Sequence, residues 1–414
     1  MLLLQEAVLN SRNTVLIVGG GIGGLTTAIA LARKGRSVHV LEQAHEISAI
    51  GYGIQLGPNV FNVFEQLGIA DSVKSIADFP DSVCMIDADD GRTLIDIPVT
   101  TPGYRQRFRN PYVVVHRADI HNVLLEACLK TPGIEVTVNA AVVAHEDLGD
   151  HVRVTCSDGR TFEAAALIAA DGLKSRAREL LVKDDLCPIG YVAHRTIVDM
   201  ADIPADFPHK KDVVLWSGPG YHVVHYPLRQ GTLFNIVAVF KDPAPQHGDQ
   251  YVTHEQDVQH VYANAHPALK GVLALMDLER RWVIADRNPV RRWNRGRIVL
   301  LGDAAHPVLQ SYAQGAGMAI EDAGCIADLL DRHGYEDAFA EFSKQRALRT
   351  ARIQLEGREV WKFYHEEGIG RDVRNAQLEG RTAEDSYKCL DWIWNGAAGP
   401  VPARPSLEPL TSNH

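Results

Sequence analysis

The sequence contains no hydrophobic run that approaches the ~20 residues of a transmembrane helix. Its first residues, MLLLQEAVLN, also lack the basic segment that begins a signal peptide. Basic side chains are outnumbered, with 42 lysines and arginines against 52 acidic residues and a formal net charge of -10. Because this charge repels phosphate backbones and anionic lipids, we expect a protein that binds neither nucleic acid nor membrane. The missing signal segment and membrane span lead us to expect a cytoplasmic location.

Cysteine is scarce, and its spacing matches neither a metal site nor a disulfide framework. The 6 cysteines form no CxxC pair and no Cys/His cluster along the chain, so we expect no metal ion and a reducing compartment. With 414 residues, of which 46% are hydrophobic, the chain is long enough for two or three globular domains.

A glycine-rich turn lies between a predicted strand, residues 14–18, and a predicted helix. Gly19, Gly21 and Gly24 form a GxGxxG motif. In such a turn the first glycine permits a tight bend, the second lets a pyrophosphate approach the backbone, and the third packs helix against strand. The next predicted strand ends at Glu42, whose carboxylate can accept both ribose hydroxyls. This spacing predicts a dinucleotide site but does not distinguish NAD from FAD.

Two further apolar strands each end in a turn that contains glycine and aspartate. Residues 166–170, ALIAA, lead to Asp171, and residues 297–301, RIVLL, lead to Gly302 and Asp303. Backbone amides and a carboxylate in such a turn can bind phosphate or polyol hydroxyls. For Asp171, a cap on the helix that follows is the alternative interpretation.

In this order, the three motifs resemble those of the single-component FAD-dependent aromatic hydroxylases of the para-hydroxybenzoate hydroxylase type. The resemblance extends over residues 15–395 and implies that the glycine turn binds the FAD pyrophosphate. It implies that Glu42 binds the adenosine ribose, that Asp303 binds the ribityl chain, and that Arg117, in HRADIH, contacts the cofactor. Asp171 is implied to lie near the pyrophosphate and to take part in the use of NADH or NADPH.

Small residues at Gly315, Ala316 and Gly317 follow the third turn and are predicted to begin a helix. The first amides of a helix carry partial positive charge. By the same resemblance, these amides face the flavin pyrimidine and stabilise its negative charge on reduction.

Between the cofactor motifs, alternating apolar strands flank Gln230 and Gly231, and this pattern predicts a β-hairpin. With these two residues in the turn, Tyr226 lies opposite Asn235. His222 shares a sheet face with Tyr226 because side chains alternate along a strand. We expect this face to meet the substrate.

The hairpin sequence is most similar to the 3-hydroxybenzoate 6-hydroxylase branch of the family, in which the GPxxHxxxYPLR segment and the glutamine of PxLQ line the pocket. The resemblance assigns His222 and Gln310 to hydroxyl binding and activation, and Tyr226 to a pocket wall. No arginine is placed by spacing to bind a carboxylate. His194 and Arg195 are candidates, but they fit a structural role on a strand face better.

The implied reaction consumes a phenolic benzoate, O2 and NADH or NADPH. Reduced flavin and O2 supply an electrophilic oxygen, and a base that withdraws the phenolic proton makes the ring electron-rich. Histidine suits that task near neutral pH. A hydroxyl at position 3 directs attack to position 6, and the product is then gentisate.

The order of these signals predicts an α/β chain, α+β overall, in which a Rossmann-like (GR2-type) FAD-binding domain is interrupted by a mainly antiparallel substrate domain. The C-terminal segment is predicted to cover the core or a homodimer interface. The predicted boundaries are 14–80, 105–180 and 285–375 for the FAD-binding domain, 81–104 and 181–284 for the substrate domain, and 376–414 for the C-terminal segment.

Three alternatives remain open at this point. Salicylate 1-hydroxylase shares every cofactor motif and gives catechol instead. A flavin halogenase carries WxWxIP, whereas the WxW of this chain, at 392–394, is followed by Asn395. A flavin-binding redox sensor would carry out no turnover.

Overall fold

The computed structural model describes residues 13–45, 51–243 and 253–396. Residues 397–414 of the predicted C-terminal segment therefore lie outside the described residues. The strands are β1 (Thr14–Val18), β2 (Ser37–Leu41), β3 (Gly53–Leu56), β4 (Ser82–Asp87), β5 (Thr93–Pro98), β6 (Val113–His116), β7 (Ile134–Thr137), β8 (Val142–Asp147), β9 (Val152–Cys156), β10 (Thr161–Ala164), β11 (Ala166–Ala169), β12 (Cys187–Asp199), β13 (Val213–Gly218), β14 (Tyr221–Leu228), β15 (Leu233–Lys241), β16 (Trp282–Asp286), β17 (Asn294–Arg295) and β18 (Ile298–Leu300). The helices are α1 (Ile22–Arg33), α2 (Phe61–Gln66), α3 (Ala70–Ser75), α4 (Pro102–Phe108), α5 (Arg117–Lys130), α6 (Arg176–Leu181), α7 (His254–Val261), α8 (Pro267–Leu273), α9 (Gly315–Leu330), α10 (Tyr335–Tyr364), α11 (Ile369–Leu378) and α12 (Ala383–Trp394).

The first sheet is parallel apart from β17, and its strand order is β17-β18-β11-β1-β2-β7. Both of its faces are covered, which explains why its central strands β1, β11 and β18 are almost entirely apolar. Along β1, Val15 and Ile17 pack against helices, whereas Leu16 and Val18 pack against the small antiparallel sheet β10-β9-β8. This arrangement confirms the predicted α/β class with a Rossmann-like sheet.

The second sheet has the order β16-β12-β15-β14-β13-β4-β5 and is antiparallel except where β13 meets β4. On β14, Tyr221 and Val223 face the apolar layer that α7 and α8 complete. Val224 and Tyr226 face the opposite way, toward Asp303 and Gly315. The strands of this sheet fall within residues 82–98 and 187–286. The domain boundaries themselves stay a prediction.

The β14–β15 hairpin has the predicted register, with Tyr226 opposite Asn235. Gln230 and Gly231 form the turn in the left-handed region, with φ of 58° and 72°. Their backbone N–H groups donate to the carboxylate of Asp78, at 3.1 and 2.8 Å. Because Asp78 forms an isolated bridge with Val114 of β6, this contact holds the end of the hairpin next to that strand.

The C-terminal helices pack on the protein body. Within the described ranges, no helix combines the length and the apolar character that a membrane crossing requires. Trp394 at the end of α12 is buried against the rings of Tyr104, Phe108 and Tyr112. The described part of the C-terminal segment therefore completes an aromatic core.

A buried carboxylate joins α11 to the second sheet. Asp87, at the end of β4, is fully buried and accepts hydrogen bonds from Arg371 at 2.9 Å, Arg374 at 3.2 Å and Asn375 at 3.1 Å. Burial raises the pKa of Asp87, but the bonds from Arg371 and Asn375 outweigh this effect and lower the pKa to about 2. The carboxylate therefore stays ionised and keeps α11 on the sheet.

We predict that Asp87→Asn lowers the free energy of unfolding by about 3 kcal/mol at neutral pH, because two arginines lose their buried partner. The deficit should shrink as the pH falls from the ordinary carboxyl value of 3.8 toward 2, where the wild-type carboxylate also becomes protonated. Urea unfolding followed by tryptophan fluorescence measures the difference. Asp90→Asn, at an exposed carboxylate, serves as the control. Equal stability of the two variants would contradict the assignment.

Candidate active site

The glycine turn leaves the carboxyl end of β1 and enters α1. Gly19 has a φ of 107°, and a Cβ there would overlap the carbonyl oxygen of Ala170. A Cβ at Gly24 would overlap the carbonyl oxygen of Gly19, so this glycine permits close packing of helix on strand. At Gly21 a Cβ would meet nothing within 4 Å, and the backbone is open to a ligand. These are the geometries that the motif predicts.

Glu42 lies beside this turn. Its Oε2 accepts a hydrogen bond from the backbone N–H of Gly20 at 2.7 Å, and its Oε1 accepts one from Ala44 at 2.9 Å. Nε2 of His121, the last residue of HRADIH, lies 2.6 Å from the Gly20 carbonyl oxygen. The motif therefore contributes a histidine that supports the turn, a role that the sequence did not indicate.

The carboxylate of Asp322 holds the turn that contains Asp303 in place. Asp322 of α9 is fully buried and accepts a hydrogen bond from the N–H of Gly302 at 3.1 Å. The same oxygen lies 2.6 Å from His306 Nε2. Asp303 itself is surrounded by protein but keeps an open surface, because it faces a cavity that Gly315 also lines. The turn and the start of α9 therefore share one wall.

Arg117 lies close to this wall. It is the first residue of α5 and is exposed, and its backbone N–H donates to the carbonyl of Tyr52 at 2.8 Å. Burial raises the pKa of Asp303, and His306 and Arg117 oppose that rise. The structure thus brings Arg117 and Asp303 within electrostatic reach of each other.

The residues present fit a bound dinucleotide. The turn at Gly21 is open, and the helix that begins with Gly315, Ala316 and Gly317 directs its first amides to the cavity wall. Asp171 behaves in part as the alternative cap, since its Oδ2 accepts from the N–H of Arg176 at 3.0 Å. Its Oδ1 is buried without a partner among the described residues and is free for a further donor.

A cavity of 220 Å³ separates this wall from the second sheet. Its size suits a single substituted ring better than a large ligand. The sequence-predicted residues that it brings together are Tyr226, Asp303, Gln310, Gly315 and Ala316. The other described residues that line it are Gly53, Ile54, Gln55, Arg195, Val224, Val237, Val308 and Ala313.

Arg195 and Gln310 contact each other in the lining of this cavity. Arg195 Nη2 donates to Gln310 Oε1 at 2.8 Å, while Arg195 Nε and Gln310 Nε2 are buried without partners among the described residues. Desolvation lowers the pKa of Arg195, which nevertheless stays charged. A buried N–H group without an acceptor lowers the free energy of unfolding. Arg195 Nε and Gln310 Nε2 are therefore suited to donate to an anionic or carbonyl oxygen of a ligand. Sequence spacing favoured a structural role for Arg195 on a strand face, and the structure places this residue in the lining of the cavity.

Tyr226 and Asn235 occupy the next row of the same sheet face. Burial raises the pKa of Tyr226, so its phenol is neutral, and Arg195 opposes the rise. Asn235 is fully buried, and its Oδ1 accepts from the N–H of Gly53 at 2.9 Å. A Cβ at Gly53 would collide with the Tyr226 ring. Asn235 therefore supports the cavity from behind and does not line it.

His222 is not among the residues that line the cavity. It lies one row beyond Val224 on the same face and is 2% exposed, with Nδ1 located 2.8 Å from His365 Nε2. The expectation that the sheet face presents His222 directly to the cavity is therefore corrected: a second histidine and the ring of Trp361 cover it. Its catalytic role stays a prediction.

A Cys/His group that sequence spacing did not show lies on the outer face of the second sheet. Ligand atoms of Cys84, His209 and Asp212 lie within 4.8 Å of one another. His209 Nδ1 is 2.9 Å from Asp212 Oδ2, Ser82 donates to Asp212 Oδ1, and Cys84 Sγ donates to Asp96. Because the group satisfies its own hydrogen bonds, we assign no ion to it.

Two contributors escaped sequence reasoning, Asp322 and His365, whereas Arg195 was considered and its structural role preferred. Asp322 left a signal, because acidic residues within a helix of mostly small and apolar residues indicate a buried charge that needs a partner. His365, at the end of α10, left none.

Comparison with known proteins agrees with this geometry. Residues 12–351 match the family described as FAD binding domain. The chain is 41% identical over 385 residues to 3-hydroxybenzoate 6-hydroxylase of Polaromonas naphthalenivorans (strain CJ2), covering 92% of this chain and 96% of that protein. It is 40% identical to 3-hydroxybenzoate 6-hydroxylase of Klebsiella oxytoca, with 92% and 96% covered.

A solved structure supports the fold alone. HpxO of Klebsiella pneumoniae, complexed with FAD and uric acid, superimposes with a TM-score of 0.81 at 24% identity, covering 94% of this chain and 97% of that chain. The glycine turn, the Asp303 turn and the match over residues 12–351 lead to one conclusion. The chain belongs to the FAD-binding domain family, among the FAD-dependent aromatic hydroxylases.

Proposed function

We propose that this protein hydroxylates 3-hydroxybenzoate at position 6 to give gentisate, using FAD, NADH or NADPH, and O2. The observation that carries the proposal is the pair of Arg195 and Gln310, whose unpartnered donors meet a cavity of ring size. The relatives named 3-hydroxybenzoate 6-hydroxylase, at 41% and 40% identity, support this substrate.

Arg195 is the proposed anchor for the substrate carboxylate. Its guanidinium pairs with planar anions in two-point geometry, and its charge survives burial. Gln310 holds that guanidinium through its Oε1 and offers its own Nε2 to a substrate oxygen. Tyr226 closes the apolar side of the cavity together with Val224. The carboxylate end of the ring is then fixed against the sheet.

His222 is the proposed acceptor of the phenolic proton. Residues two apart on a strand are separated by about 6.6 Å, close to the span of a substituted ring. A ring anchored in the Arg195–Val224 row can therefore direct its hydroxyl toward the neighbouring His222 row. Bound FAD, once reduced, supplies the electrophilic oxygen from O2.

We also propose that the protein works in the cytoplasm as a homodimer. All six cysteines are free thiols, as in a reducing compartment. Leu348 and Leu355 of α10 are exposed, and a second copy of the chain can cover such apolar groups.

The reaction is tested by incubating the purified protein with NADH, air and separate hydroxybenzoates, with chromatography of the products. We expect 3-hydroxybenzoate to stimulate NADH oxidation and to yield gentisate with matching O2 uptake. Catechol from salicylate would instead favour the decarboxylating alternative. NADH oxidation that no aromatic acid stimulates would favour a redox sensor.

We predict that Arg195→Met raises the KM for 3-hydroxybenzoate about 10- to 100-fold, because charge-assisted hydrogen bonds worth about 1.5–3 kcal/mol are lost. Methionine keeps the packing of the aliphatic stem. Steady-state kinetics with 3-hydroxybenzoate and with 3-hydroxybenzyl alcohol, which lacks the carboxylate, measure the effect. The alcohol should show little change between the two enzymes. Arg280→Met, at an exposed arginine, is the control.

We predict that His222→Ala retains FAD but lowers hydroxylation about 100-fold or more, because a positioned base contributes at least that factor. Oxygen consumption should continue and end as hydrogen peroxide, since the ring is no longer activated. The ratio of gentisate to NADH consumed is the measurement. His225→Gln, on the opposite face of the same strand, should keep the normal ratio. Normal coupling in His222→Ala would remove this residue from the mechanism.

A further inference from the structure

The outward side of α10 presents two leucines among charged residues. Leu348 and Leu355 are 58% and 50% exposed, whereas Phe342 and Ile353 on the opposite side of the helix are buried. Because successive residues of an α-helix are about 100° apart, six positions fall on one stripe about 60° wide. We call this stripe the outer face of α10, and it consists of Glu341, Lys344, Leu348, Leu355, Glu359 and Lys362.

The charges on the outer face of α10 are arranged symmetrically about the midpoint between the two leucines. Lys344 lies about 11 Å along the helix from that midpoint, and Glu359 lies equally far in the other direction. Glu341 and Lys362 lie about 16 Å from it, again on opposite sides. Each charge therefore has the opposite charge at the same distance beyond the midpoint.

This pattern is complementary to a second copy of itself when the two helices run antiparallel. A two-fold axis brings the same surface of both copies together. With the axis at the midpoint, each leucine meets the other leucine of the second copy. Lys344 then lies opposite Glu359 of the second copy, and Glu341 lies opposite Lys362. A parallel pair of helices would instead place each charge against its own kind.

Within one chain, the same charges form only local ion pairs. Lys344 Nζ donates to Glu341 at 3.3 Å, and Lys362 Nζ donates to Glu359 at 2.9 Å. Both pairs are on the surface, where such pairs add little to the stability of a single chain. In the antiparallel contact the two pairs combine into a cluster of four charges of alternating sign at each end.

The residues at the midpoint permit this contact. Ala351 is small, so that two helices can approach closely there. The charge of Arg352 is already paired, since its Nε donates to Glu356 at 2.6 Å and its guanidinium lies 3.8 Å from the ring centroid of Trp392. Two copies of Arg352 near the axis therefore do not bring bare like charges together.

The inner side of α10 holds the helix in place. Arg346 donates to Asp322 at 2.7 Å, and the carbonyl of Gly357 accepts from the hydroxyl of Ser311 at 2.7 Å. The spacing of the outer face is therefore set in the single chain, and little ordering is needed when a second copy binds.

We infer that two copies of this chain associate through the outer face of α10, antiparallel about a two-fold axis midway between Leu348 and Leu355. The inference rests on the proposed homodimer, because it assigns the surface through which the homodimer forms. Complementary charge, together with the leucines between the charges, identifies a second copy of the chain as the occupant.

The test uses two charge-swapped variants of the FAD-loaded protein in sedimentation velocity experiments. One carries Glu341→Lys with Lys344→Glu, and the other carries Glu359→Lys with Lys362→Glu. Each keeps the local ion pair and the net charge but sets like charges opposite each other in its own dimer. We expect the Kd of each variant alone to rise about 10-fold or more. In a 1:1 mixture every facing pair is again opposite in sign, and the Kd should return to within about 3-fold of wild type.

A second pair of variants tests the leucines. Leu348→Glu should also raise the Kd about 10-fold or more, because it removes apolar area from the contact. Leu129→Glu, at a leucine of α5 that is 69% exposed, is the matched control and should leave the Kd unchanged. If a charge-swapped variant loses its FAD, the comparison of these two leucine variants decides.

A wild-type dimer that neither charge swap weakens, or a mixture that does not recover, would overturn the assignment of this surface. A wild type that stays monomeric at every concentration would overturn the homodimer together with its surface. Formation of gentisate by the wild type reports separately on the proposed reaction.

Discussion

The buried carboxylate of Asp322 is the contact on which the cofactor side of the site depends. It lies on α9 and is fully buried, yet burial, which raises its pKa, is outweighed by His306 and Arg346, and the pKa falls to about 2. One oxygen receives the N–H of Gly302, and the other receives Arg346 Nε at 2.7 Å. A single ionised group therefore fixes the turn after β18, the helix α9 and the long helix α10 relative to one another.

The substrate side of the cavity differs in that some of its buried hydrogen-bond donors have no partner in the described part of the chain. There two side-chain donors, Arg195 Nε and Gln310 Nε2, are buried without partners among the described residues. Such donors cost free energy in a folded chain unless something else supplies the acceptor. The carboxylate and the phenolic oxygen of a hydroxybenzoate are hydrogen-bond acceptors that can pair with these donors. On the cofactor side the buried charge of Asp322 is paired within the protein, whereas the donors of Arg195 and Gln310 are left for a ligand.

The C-terminal helices connect the two walls. Asp87 holds Arg371 and Arg374 on the second sheet, and Arg374 also donates to the hydroxyl of Ser217 at 2.6 Å. Ser217 in turn binds the Tyr364 carbonyl, next to His365. The Tyr364 hydroxyl donates to the carbonyl of Ser311 at 2.9 Å, beside Gln310. The end of α10 therefore sets the position of His222, the proposed base, relative to Gln310, which holds Arg195.

Local sequence was sufficient wherever neighbours in the chain decide the geometry. The GxGxxG turn, the strand that ends at Glu42, the turn at Asp303 and the helix that begins at Gly315 all follow from short-range rules of chain conformation. The register that sets Tyr226 opposite Asn235 follows from the turn at Gln230 and Gly231, because side-chain alternation propagates from the turn. These elements fixed the fold class and the cofactor side of the site.

Only the tertiary structure decided which distant groups meet. Arg195 and Gln310 are 115 residues apart, and His222 and His365 are 143 apart, so no spacing rule links them. The sequence predicted that His222 faces the substrate, but whether a strand residue lines a cavity depends on what packs over it, and here α10 covers it. Alternation along a strand determines the face of a side chain, whereas long-range packing determines its neighbours, and for a buried polar group those neighbours determine its protonation and its function.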